Sequence, residues 1–324
     1  MLEQGQPKKT KDLIKIKVLG IGGGGNNAVN QMINSSIEGA EYYLINTEKG
    51  ILDRTNTNGC HTLQIGKETA KGLGAGANPE VGEKSAKESL EEIDKILEDT
   101  DLLFLTAGMG GGTGTGAIPV IAEEAKKKGI LTIAVVTTPF IFEGKLRTVR
   151  ANMGIDKLKP NVNALIVISN DQLLANTENN VSILDAFKKT DDILRQSIES
   201  ITDLINTVGT INVDFADVRT VLSYEGYSYM GIGVASAEDS IIDATKAALD
   251  NPLTIRKIDG AKGVIFNVKG SEDIGLDEIN RSADLISERV SPDANIIFGS
   301  VIDSSLGDKV IVTVVATGVE DENK

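Results

Sequence analysis

Six glycines fall within nine residues at Gly108-Met-Gly-Gly-Gly-Thr-Gly-Thr-Gly116, with Thr113 and Thr115 interleaved. Glycine has no β-carbon, so backbone N–H groups in such a loop can close around one object. The apolar run Leu102–Leu105 ahead of it predicts a buried strand, and Ala117–Lys127 behind it predicts a helix. The positive end of that helix favours an anion, and a phosphate chain is the natural occupant. The two hydroxyls suit phosphate oxygens or a metal-bound water.

Two further glycine segments carry the same chemistry. Gly20-Ile-Gly-Gly-Gly-Gly-Asn-Asn27 follows an apolar–lysine alternation at Ile14–Leu19 and matches G-x-G-x-x-G through Gly20, Gly22 and Gly25. Gly72-Leu-Gly-Ala-Gly-Ala-Asn-Pro79 precedes an amphipathic stretch, Val81–Leu97, that predicts one helix. No G-x-x-x-x-G-K-[ST] occurs, which excludes a P-loop protein. Asp214 and Asp217, three apart at a helix start, admit two readings. They can cap and charge that end, or they can orient a water or hold a metal. His61 beside Cys60, each the sole residue of its type, is too small a set for a metal site, and no metal ligand is assigned. Tyr224, Tyr227 and Tyr229 have few basic neighbours and suit packing better than base stacking.

The elements that must position these loops alternate. Strands are predicted at Ile14–Leu19, Tyr42–Asn46, Leu102–Leu105, Ile130–Val136 and Ala164–Ser169, with helices between them from Ala28, Val81 and Ala117. That alternation implies a parallel sheet with covered faces, and ligands of such sheets sit at the carboxyl ends of the strands. Ser182–Asn206 predicts one long helix, about 37 Å at 1.5 Å per residue, with Leu194, Ile198, Ile201 and Ile205 as its apolar stripe and Gly209 ending it. A helix follows through Leu222. Beyond Gly226, helices near Ser236–Leu249 and Leu276–Val290 and strands at Gly263–Val268, Ala294–Val301 and Lys309–Thr317 predict a smaller α+β unit.

The 324 residues suffice for one large or two smaller domains. A net charge of −14 excludes a sequence-independent nucleic-acid surface, so no nucleic-acid partner is expected. One cysteine excludes an intrachain disulfide and suits a reducing cytoplasm. No apolar run reaches the roughly 18 residues of a membrane span.

Together these segments resemble the tubulin/FtsZ family. Gly110-Gly-Gly-Thr-Gly-Thr-Gly116 is identical to that family's signature, and the resemblance covers residues 13 to 317. The segments Gly20–Ala28 and Gly72–Pro79, Pro139 with Phe142-Glu-Gly144, and Asn212-Val-Asp-Phe-Ala-Asp217 resemble the FtsZ branch rather than eukaryotic tubulin. The resemblance implies an α/β protein: a flexible arm (1–12), a Rossmann-like GTP-binding domain (13–181), a central helix (182–209), a C-terminal GTPase-activating domain (210–317) and a tail (318–324). It implies a GTPase using GTP/GDP and Mg²⁺, with K⁺ as a candidate monovalent ion. That GTPase would polymerise head-to-tail into filaments of the bacterial division ring, in the cytoplasm at the division site, with division-ring regulators as partners.

The same resemblance assigns residues. Gly23, Gly24, Gly25, Asn26 and Asn27 would line the diphosphate and the edge of the nucleoside, and Ala75 and Gly76 would approach the γ-phosphate. Gly110, Gly111, Gly112, Thr113, Gly114 and Thr115 would be the main phosphate cradle. Glu143 and Arg147 would contact ribose and phosphate, Phe187 would stack on guanine, and Asp191 would accept from its N1–H and amino group. Asp214 and Asp217, with Asn212, would orient the attacking water on the next subunit's nucleotide. Glu48 stands where the family usually has Asp, and Leu146 where it usually has a basic residue. The family's adaptor-binding peptide is not among these residues, so membrane adaptors are not expected as partners. Two alternatives stay open on residues alone: a Rossmann-type NAD-dependent enzyme, from Gly20, Gly22 and Gly25, and an assembly protein of little turnover, if the two aspartates only cap a helix.

Overall fold

A computed structural model describes residues 14–35, 39–55, 58–175, 182–206, 214–224, 226–236, 241–250, 254–271, 275–303 and 306–319. Its first half is a parallel sheet of β1 (Ile16–Ile21), β2 (Ala40–Asn46), β3 (His61–Gln64), β4 (Leu102–Gly108), β5 (Leu131–Thr138) and β6 (Ala164–Ser169). Their spatial order is β3-β2-β1-β4-β5-β6, all parallel. The order reverses between β1 and β4, so a crevice opens beyond their carboxyl ends. Helices cover both faces, which is why β1, β4 and β5 are apolar almost throughout rather than alternating.

One face carries α1 (Gly22–Ser35), α8 (Ile183–Asn206) and α9 (Phe215–Leu222) over a core that includes Phe104, Leu131 and Ile133. Leu194, Ile198 and Ile201 of α8 are fully buried in that core, each stabilising by about 1.5–3 kcal/mol relative to an exposed position. The other face carries α3 (Pro79–Glu88), α4 (Leu90–Leu97), α5 (Thr113–Lys127) and α6 (Lys145–Leu158) over Leu103, Leu105 and Ala134. Short helices α2 (Lys49–Arg54) and α7 (Asn170–Ala175) complete this half.

The sheet continues into the second half. β7 (Tyr227–Ala235) runs parallel to β6 through the single pair Ile166↔Ser228, followed in space by β10 (Val310–Val319), β8 (Gly263–Gly270) and β9 (Asn295–Ile302). Helices α10 (Ile241–Leu249) and α11 (Leu276–Ser287) pack on one face of this part, around Tyr229, Val264 and Phe266.

Several boundaries differ from the sequence expectation. The predicted helix Val81–Leu97 is two helices, broken at Ser89 (φ −106°, ψ 26°). The break has a cause: the Ser89 hydroxyl accepts from Gly66 N–H at 3.1 Å, and the Glu88 carboxylate accepts from Glu68 and Thr69 N–H at 2.9 Å. Side chains at this kink therefore hold a loop instead of continuing a helix. Helices α1 and α5 start earlier than expected, at Gly22 and Thr113, so parts of both glycine runs are first turns of helices. Strands β3 and β7 and helices α2, α6 and α7 carry no sequence expectation. Gly209 and Asn212 lie outside the described residues.

Candidate functional site

Three glycine segments meet at the carboxyl ends of β1 and β4. Gly22 (φ +72°) lies so close to α5 that a β-carbon on it would be 2.8 Å from Gly114 N. A β-carbon on Gly112 would be 2.7 Å from the Ala75 β-carbon and 2.9 Å from Asn78 N. These contacts explain those glycines by packing alone. Packing does not explain Gly23, Gly76 and Gly111: a β-carbon at any of them would meet nothing within 4 Å. Gly76 has a left-handed backbone (φ +56°) that favours glycine by itself, whereas Gly23 and Gly111 border open space, a hollow beside the meeting point of the segments. Helix starts carry unpaired N–H groups that favour anions, so the starts of α1 at Gly22 and α5 at Thr113 beside that hollow suit a phosphate chain.

The polar side chains expected in the cradle are disposed differently from one another. Asn26 is 1% exposed and turned inward: its amide donates to Gly20 O at 2.7 Å, and its oxygen accepts from Asn46 Nδ2 at 2.7 Å. It ties the ends of β1 and β2 from behind the hollow, so its side chain does not line it. Thr113 shares a 2.6 Å hydroxyl pair with Thr47, and the Thr115 hydroxyl accepts from Gly110 N–H at 2.8 Å. Both hydroxyls are buried and brace the loop. The reason is the early start of α5, which puts both threonines on its first turn. Asn27 is exposed on α1, and Gly24 and Gly25 back onto β4.

The rim is built from α6 and α8. Glu143, in a 3-10 turn, accepts from Phe140 N–H at 2.9 Å and pairs with Arg147 Nε at 3.1 Å. Arg147 in turn lies against the cradle, since a β-carbon on Gly110 (φ +98°) would be 2.7 Å from Arg147 Cγ. Phe187 is half-exposed and meets Phe140 edge-on at 5.1 Å. One turn later on α8, burial pushes the Asp191 carboxyl up to about 7. Its oxygen accepts from Gln31 Nε2 of α1 at 3.5 Å. Gln31 was not singled out in the sequence, and no local signal marks it, because its partner is 160 positions away.

Asp214 and Asp217 are elsewhere. Asp214 is the N-cap of α9, its Oδ1 accepting from Ala216 N–H at 3.1 Å, and Asp217 sits in the first turn. Both are exposed. Arg219 of the same helix donates to Gly129 O at 2.8 Å, just ahead of β5. Helix α9 therefore stands at the amino ends of the strands, opposite the hollow.

A family model described as Tubulin/FtsZ family, GTPase domain, matches residues 15–178, and one described as FtsZ family, C-terminal domain, matches residues 226–320. An FtsZ dimer from M. jannaschii superposes with a TM-score of 0.88 at 43% identity, covering 97% of this chain and 90% of that one. CetZ2 from Haloferax volcanii, in a protofilament with GTPγS bound, superposes with a TM-score of 0.81 at 19% identity, covering 96% and 95%. CetZ1 from the same organism, a GDP-bound monomer, gives 0.81 at 21% identity, covering 96% of each chain.

Proposed function

This chain belongs to the tubulin/FtsZ family and is a GTPase, and from that premise we propose that it polymerises head-to-tail into cell-division filaments whose GTP sites are completed between subunits. The observation that carries this reading is the separation of the cradle from Asp214 and Asp217, at opposite ends of one sheet. A subunit so built cannot bring its own carboxylates to its own γ-phosphate. A head-to-tail neighbour can, and such a heterologous contact propagates as an open filament. Asn212 assists the pair in this reading.

The cradle end also has the surface for it. Leu73, Ile141, Phe142, Leu146 and Val149 flank the third glycine segment and the Glu143–Arg147 rim, and all are exposed. Large apolar side chains gathered beside a polar site mark a face that another surface covers. The M. jannaschii relative at 43% identity is a dimer, which supports self-association.

Within the site, Gly23–Gly25, Asn27, Ala75, Gly76 and Gly110–Thr115 hold the phosphates through backbone N–H groups. Glu143 and Arg147 border the ribose. Phe187 supplies a ring face for guanine, and Asp191 accepts from N1–H and the 2-amino group. Among the described residues no three His, Cys, Asp or Glu side chains gather to cage a metal, so Mg²⁺ would be held through phosphate oxygens and water, with Glu48 at the rim. When bound, Mg²⁺ would supply neutralisation of the phosphate charge, and K⁺ is the candidate monovalent ion. A good part of the rate gain then comes from positioning and electrostatics.

Asp214→Ala and Asp217→Ala test the reading. Each is expected to bind GTP like the parent while losing nearly all hydrolysis, measured by equilibrium binding and phosphate release. Normal turnover in both would sink the assigned role.

A further inference from the structure

The two halves of the sheet are joined thinly. β5 and β6 pair through six register positions, whereas β6 and β7 pair through one, Ile166↔Ser228. Beside it are Leu165 N–H to Ser228 Oγ (3.1 Å) and Ile255 N–H to Val167 O (3.3 Å). Both sides of this junction hold a cavity, and the one on the α8 side, between Ile193, Gln196 and Ser197 of α8 and Met230 and Ile232 of β7, is the smaller at ≈ 140 Å³. On that side, α8 also packs Leu194, Ile198 and Ile201 into a core shared with Met230, Ile265 and Val315. On the other lies a notch of ≈ 330 Å³, walled by Asn152 and Asp156 of α6 and by Ile255 and Arg256 of the C-terminal half.

Tyr227 also lines that notch. The Lys159 ammonium, just after α6, sits 3.9 Å from the centre of the Tyr227 ring, and the Arg256 guanidinium sits 4.3 Å from it. A ring face attracts cations through its quadrupole, most strongly where water is partly excluded. Lys159 belongs to the GTPase domain, and Tyr227 and Arg256 to the C-terminal domain. Helix α6 connects this ring to the nucleotide end as well. Its first turn holds Arg147 against Gly110, and its last residue, Leu158, is about 17 Å further along at 1.5 Å per residue.

We propose that Tyr227 is a positioning residue for filament-linked GTP hydrolysis, clamping the C-terminal domain to the foot of α6 at the angle the subunit contact requires. Shared packing of α8 with Met230, Ile265 and Val315 is then the main tie left between the domains if the clamp is lost. The aspartates of α9 are then presented at the wrong angle to the neighbouring cradle. This rests on the head-to-tail reading above.

Tyr227→Leu removes the ring, Tyr227→Phe keeps its face, and Lys159→Gln removes one cation. Two measurements read them. The first is GTP turnover against protein concentration, with GTP affinity measured below the assembly threshold. Leu and Gln are expected to raise the threshold about threefold to tenfold, the factor a cation–π contact can supply, with GTP affinity unchanged. Phe is expected to match the parent. The second is amide exchange in dilute protein, where Leu165 and Ile255 should exchange faster in the Leu variant than in the parent or the Phe variant. A Leu variant indistinguishable from the parent in threshold and exchange overturns the proposal, as does a Phe variant as impaired as Leu. If the parent itself shows no threshold, the head-to-tail reading fails and so does the role in turnover. The exchange measurement still decides whether the clamp exists.

Discussion

At the residue scale, the Asp191 carboxyl, pushed up to about 7 by burial, has a definite pH signature. Its ordinary value is 3.8, so the folded, nucleotide-free protein holds this proton more tightly than the unfolded chain. The stability it contributes is full below about 4 and is lost as pH rises through about 7. Guanine makes the opposite demand, since only the carboxylate accepts from both N1–H and the amino group. GTP affinity is therefore expected to fall about tenfold from pH 8 to pH 6, with that dependence gone in Asp191→Asn, as calorimetric titration can show. The same variant should lose at least about tenfold in GTP affinity, because its amide places a donor against a donor, and it should gain affinity for xanthosine triphosphate. Gly111→Ala makes a separate case. A methyl there enters open space, so the melting temperature should hold within about 1 °C while GTP binding weakens more than about tenfold by steric exclusion. Loss of folding instead would show that Gly111 serves packing.

At the element scale, α9 has two uses for one side chain. Asp214 caps the helix through Ala216 N–H, a contact worth about 1 kcal/mol, and in the proposed filament it also serves the neighbour's water. The two uses separate by substitution. Asp214→Asn keeps a good cap but loses the charge, so thermal melting should match the parent while GTP turnover collapses. Asp214→Ala should lose both. Equal turnover in Asn and parent would leave the cap as the only role.

Elements were legible where local pattern and tertiary demand agree: β6 runs Ala164–Ser169 in both readings, and α8 begins one residue after Ser182. They were illegible where long-range contacts decide. Glycines read as loop became first turns of α1 and α5 because neighbouring backbone packs against them; a β-carbon on Gly116 would be 1.9 Å from Pro79 O. Strand β7 was hidden by Gly231 and Gly233, which look like turn residues but let α10 lie on the strand; a β-carbon on Gly231 would be 1.7 Å from Ala248 O. The glycine segments announced a phosphate hollow. The inward turn of Asn26 and the Gln31–Asp191 contact depended on partners distant in sequence and gave no such notice.

At the scale of the whole molecule, function depends on what one subunit lacks. The cradle faces one end and the α9 carboxylates the other, and the 24-residue helix α8 joins the two, touching α1 at Asp191 and β8 through its Asp203–Lys269 ion pair (3.2 Å). A net charge of −14 keeps unspecific association weak, so assembly must come from the complementary ends. The most direct test is GTP turnover per subunit across a range of protein concentrations. Sites completed between subunits predict almost no turnover at low concentration and a steep rise above a threshold. A specific rate independent of concentration would mean that each chain carries a complete site, and it would contradict the assignment of Asp214 and Asp217 to the neighbouring nucleotide.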